Sequence, residues 1–74
     1  MNSNDIKVGQ IYEVGIPTFR TISVYAIKDK ILEIGTKFII SGPILVDLDF
    51  CKISVWGEAS WAYKASVKQC LRLL

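Results

Sequence analysis

Ile34-Gly35-Thr36-Lys37-Phe38-Ile39-Ile40-Ser41-Gly42-Pro43 is an apolar run fenced by a glycine in front and a Gly-Pro pair behind. Side chains alternate along an extended chain, so Phe38 and Ile40 share one face while Lys37, Ile39 and Ser41 share the other. Phe38 and Ile40 therefore point inward. Gly35 takes the positive φ that a tight leading turn needs, and Pro43 lacks the N–H that a continuing central strand would use. The run reads as a strand that ends or bends at Gly42-Pro43.

The neighbouring segments read as its cover. Lys7 to Val14 makes a first strand with Tyr12 and Val14 on one face, interrupted by Gly15 and Pro17. Phe19 to Ile27 is β-branched and aromatic, and its period of two groups Ile22, Val24 and Ala26 as a second strand's inner face. Lys28-Asp29-Lys30 reads as a charged turn, and Ile31 to Ile34 returns the chain to Gly35. Beyond Pro43, Asp47-Leu48-Asp49 supplies turn chemistry before a strand from Phe50 to Trp56, whose inner face is Cys51, Ile53 and Val55. Gly57 to Ser60 reads as a turn into another alternating segment, Trp61 to Ala65. Last, Val67, Cys70, Leu71 and Leu74 follow helical spacing behind Ser66, with Gln69 placed as a capping-box partner. The expected core is Ile22, Val24, Phe38, Ile40, Ile53 and Val55.

Seventy-four residues form one domain, expected over residues 6–74 behind a disordered N-terminus at 1–5. A chain this short buries only about 60% of its unfolded surface. Yet 51% of its residues are hydrophobic, so apolar surface is left over for a partner or a second copy. No membrane span is expected, because Lys37, Gly42, Asp47 and Asp49 break the apolar runs well short of about 18 residues. The first five residues carry no export signal, which points to the cytoplasm and to reduced thiols at Cys51 and Cys70.

Strand order and the Gly-Thr-x-Phe lead into the central strand at Gly35–Phe38 resemble the SH3-like small barrels, from about Gly9 to Leu74. The resemblance implies an all-β fold: a single small barrel of about five strands closed by a short C-terminal helix. It does not extend to proline-peptide binding. The acidic-aromatic motif is not present after Tyr12, and the tryptophan pair is split between Trp56 and Trp61. Single-domain barrels of this type are also similar to small accessory proteins of phages and mobile elements, including inhibitors of host defence.

The same residues weigh against an enzyme. With no histidine the commonest general base is missing, and Asp47 and Asp49 read as turn residues rather than a proton-sharing pair. Two thiols without histidine or CxxC spacing leave a zinc site short of ligands, and no cofactor is implied. Nucleic acid is one candidate partner, through Trp56, Trp61 and Tyr63 beside Lys52 and Lys64, because small barrels stack bases on surface aromatics. The charge of +2 is low for phosphate binding. A protein partner fits better. Once the inward sets are assigned, Phe19, Tyr25, Ile39, Phe50 and Trp56 are left outward with Lys37 and Lys52 at the edge, and aromatics of this kind mark interface centres. The competing expectation is that curvature or the terminal helix covers several of them into a second, minor core.

Overall fold

The protein, as a computed structural model, is described over residues 6–25 and 28–73, with backbone alone for 71–73. The expectations for residues 1–5, Ala26 and the Leu74 side chain lie outside the described residues. Seven strands form one sheet in the order β3-β2-β6-β5-β4-β1-β7. They are β1 (Ile11–Glu13), β2 (Phe19–Ser23), β3 (Asp29–Leu32), β4 (Lys37–Ile40), β5 (Phe50–Val55), β6 (Glu58–Tyr63) and β7 (Leu71–Leu73), with α1 (Lys64–Lys68) between the last two. Every ladder is antiparallel. The all-β expectation holds, with seven strands in place of about five.

The sheet coils around its inner face without closing. Phe19 on β2 and Phe38 on β4 are separated in the sheet by β6 and β5, yet their ring centroids lie 5.1 Å apart. Tyr12 stacks on Phe38 from β1 at 5.6 Å. Around this aromatic centre lie Val14, Leu32, Ile40, Cys51, Ile53, Val55 and Val67. Among the described residues no ladder joins β3 to β7, so the sheet is open at those two ends.

Phe38, Ile40, Ile53 and Val55 are buried as their alternation requires. β2 is reversed. Phe19, Thr21 and Ser23 face inward, and Ile22 and Val24 are only half-buried on the opposite side. Phe19 is 0% exposed, which corrects its assignment to an outward surface. The reason is volume plus satisfied polarity: the Phe19 ring fills the centre, and the Thr21 hydroxyl donates to the Lys30 carbonyl at 3.2 Å. That bond also explains why Asp29 and Lys30 belong to β3 rather than to a turn, since β3 runs antiparallel to β2 from Asp29 onward.

The turns are tighter than expected. Gly35 has φ 96° in the turn leading to β4, as its position requires. Between β5 and β6 only Trp56 and Gly57 remain outside the strands, with φ 53° and 75°, the pair of left-handed residues that a two-residue hairpin of type I′ demands. Glu58, Ala59 and Ser60 are therefore strand.

The terminal helix is shorter than its hydrophobic spacing predicts. It starts at Lys64, receives no side-chain cap, and has Gln69 as its C-cap rather than as a capping-box partner of Ser66. Five residues cannot sustain a helix in water, so α1 rests on its Val67 anchor, which is 0% exposed. The chain then turns extended, because β1 offers an unpaired edge: Leu71, Arg72 and Leu73 pair with Glu13, Tyr12 and Ile11.

Candidate functional site

The outer face of the sheet carries a second apolar surface, set row by row by the ladders. Ile22 is in register with Asp29 on β3 and with Trp61 on β6, and Trp61 is in register with Lys52 on β5. One straight row across four strands therefore reads Asp29, Ile22, Trp61, Lys52. In the adjoining row Ile31 pairs with Arg20, and Phe50 with Tyr63, whose ring centroids are 4.5 Å apart. Continuing the β2–β6 register places Arg20 level with Tyr63.

At the centre of this face Ile22, Phe50 and Trp61, with Leu48 from the preceding loop, line an open groove of about 290 Å³. The loop is tied down at both levels. The Lys64 backbone N–H donates to the Asp49 carbonyl at 2.8 Å, and the Lys64 ammonium donates to the Leu45 carbonyl. Leu48 is thereby held as one wall. The Lys52 stem flanks the groove because Gly42 leaves it room: a Cβ at Gly42 would lie 2.7 Å from the Lys52 Cβ. The N–H groups of Ser41 and Gly42 both donate to the Lys52 carbonyl, at 3.0 and 3.3 Å, a bulge that bends β4 away after Ile40.

The residues expected to bind a partner divide into three places. Phe19 is in the core. Phe50, Ile39, Lys37 and Lys52 lie on the outer face, with Phe50 in the groove and Lys52 beside it. Tyr25 and Trp56 stand apart on hairpin tips, 80% and 63% exposed, and the Lys30 ammonium sits 4.7 Å from the centroid of the Trp56 ring. A second hollow of about 280 Å³ opens near them, lined by Ser23, Lys28, Asp29, Lys30 and Glu58. Of the residues expected to meet nucleic acid, Lys52, Trp61 and Tyr63 share the outer face, Trp56 does not, and Lys64 is engaged with Leu45.

Ile22 and Leu48 are the groove residues that pattern reasoning placed elsewhere. The period of two groups Ile22 with Val24 and Ala26 and so points it inward, and the flanking Asp47 and Asp49 give Leu48 the character of a turn residue. Burial pushes the Cys51 thiol up, opposed more weakly by the Lys64 charge; burial also pushes Cys70 up, opposed by the Gly15 backbone N–H. Among the described residues no group of three or more His, Cys, Asp or Glu side chains is placed to hold a metal, and no helix is long and apolar enough to cross a membrane. In comparison with known proteins, no family model, no curated protein and no solved structure matches the chain.

Proposed function

We propose that this protein is a non-catalytic binding module that works by occupying a protein partner through the outer face of its sheet. The observation that carries this reading is the groove of Ile22, Leu48, Phe50 and Trp61, whose lining includes no charged side chain. At about 290 Å³ it lies at the lower bound of small-molecule pockets, a size suited to one or two anchoring side chains. Trp61 and Phe50 are the residue types that dominate interface energetics, and the half-buried Lys52, in register with Trp61, supplies a polar edge. An inhibitor or adaptor of the phage or mobile-element kind, on an opened relative of the SH3-like barrel, is the biological form of this proposal.

A nucleic-acid reading has one observation in its favour, the register of Trp61 with Lys52 beside Tyr63. The engagement of Lys64 and the net charge of +2 count against it. The test is retention of lysate components on the immobilised protein, with and without nuclease, compared between wild type and a Phe50→Ser, Trp61→Ser double variant. Nuclease-resistant proteins held only by wild type support docking on this face. Retention that disappears with nuclease and fades with salt moves the function to nucleic acid. Equal retention by the variant refutes the face.

A further inference from the structure

We infer that the outer face also pairs with a second copy of this chain, two sheets meeting face to face about a two-fold axis that runs along the strands. This rests on the docking reading above and names an occupant for the same face.

The inference comes from the order of side chains in the central row. Asp29, Ile22, Trp61 and Lys52 run acid, apolar, apolar, base across β3, β2, β6 and β5. Three strand spacings of about 4.8 Å make the row about 14 Å wide. A two-fold axis lying in the interface, parallel to the strands and between β2 and β6, reverses this row onto itself. Lys52 then meets the second copy's Asp29, and Ile22 meets its Trp61. The adjoining row obeys the same reversal: Ile31, which is 57% exposed, falls opposite Phe50, and Arg20 falls opposite the ring of Tyr63. The central row is thus self-complementary in charge, and the adjoining row sets apolar Ile31 on Phe50 and the Arg20 cation on an aromatic ring, the matching that a two-fold interface imposes.

Asp29 can accept a second cation. Its bond to Arg20 is at the surface, and its side chain is 57% exposed. Face-to-face sheets pack nearly aligned, at an angle of about 30°, as an axis along the strands requires. Contact is confined to the four strands β3, β2, β6 and β5, because the sheet coils away beyond them, so the buried area is well below the about 1,600 Å² of a standard stable interface, and the dimer dissociates on dilution.

Sedimentation of the full chain from about 1 µM to about 1 mM tests this. Wild type should move from the mass of one chain toward that of two. Lys52→Glu and Asp29→Lys should each weaken association at least about tenfold, since each sets like charges opposite one another at two symmetric places. Mixing the two variants should restore association, because each then meets its complement. Circular dichroism and melting of each variant, unchanged from wild type, confirm that folding is intact. A wild type that stays monomeric throughout, variants that associate as wild type does, or a mixture that remains monomeric would each overturn the inference. A monomeric wild type that still retains lysate proteins through Phe50 and Trp61 would remove the second copy and leave the docking reading standing.

Discussion

Replacing Phe19 by alanine and, separately, Ile22 by alanine decides which way β2 faces. The two residues lie three apart and so on opposite sides of one strand. Phe19 is 0% exposed and packs on Phe38, which in turn stacks on Tyr12, so its removal empties the centre of the aromatic cluster. A buried Phe→Ala change costs about 3–5 kcal/mol. At about 0.05–0.15 kcal/mol per residue, a 74-residue chain has a stability of only about 4–11 kcal/mol. Phe19→Ala should therefore lower the melting temperature by more than about 12 °C, at about 4–8 °C per kcal/mol, or leave the chain unfolded. Ile22 is half-buried in an open groove, and Ile22→Ala should cost about 1 kcal/mol. Urea titration of both variants reads the difference directly. A one-residue slip in register would exchange the faces, so a severe Ile22 variant beside a mild Phe19 variant would refute the assignment of core and groove alike.

Truncation after Ser66 removes Val67 and β7 together, baring part of the core and the edge of β1; the product should unfold or aggregate, and a well-dispersed amide spectrum would contradict this. Trp56→Asn should stabilise by up to about 1 kcal/mol, because a left-handed tryptophan costs about 1–2 kcal/mol while its exposed contact with Lys30 returns about 0.5–1; a lower urea midpoint would show that the ring packs more than its exposure indicates. Cys51, 1% exposed, should resist alkylation under native conditions, since a buried thiol held protonated is not a nucleophile. Its folded pKa is raised, so its contribution to stability is complete below the ordinary thiol value of 9.0 and declines as pH rises through the higher folded value. Urea midpoints between about pH 8 and about pH 10 should accordingly fall less steeply in Cys51→Ala than in wild type.

The parts of the fold readable in the sequence are those where polar side chains mark the outer face. In β5 the inner set Cys51, Ile53, Val55 alternates with Lys52 and Ser54, and the burial follows that alternation residue by residue. In β4, Phe38 and Ile40 are inward for the same reason, between Gly35 and Gly42-Pro43. Both failures come from contacts distant in sequence. β3 contains Asp29 and Lys30, which resemble a turn until β2 supplies a ladder for them, and β7 is a strand because β1 has an edge to fill, although Val67, Cys70 and Leu71 stand at helical spacing. Local spacing favoured a helix there, and pairing prevailed.

The groove was hidden for a related reason, and that reason bears on what it does. In β2 the outward Ile22 is as apolar as the inward Thr21 is polar, so period-two reasoning selects the wrong side unless the Thr21 hydroxyl is known to have the Lys30 carbonyl as its partner. A strand that places its threonine inside and its isoleucine outside forgoes some core burial at that position. On the outside, Ile22 stands beside Trp61 and near Phe50, with Leu48 held above them by the two bonds of Lys64. Part of the hydrophobic excess that a 74-residue chain cannot enclose is thus gathered on β2, β6 and β5, while Val8, Ile34, Val46 and Trp56 are exposed singly elsewhere. Collected apolar surface with an acid at one side and a base at the other gains most by being covered, and the order Asp29, Ile22, Trp61, Lys52 selects for a cover whose charges run the opposite way.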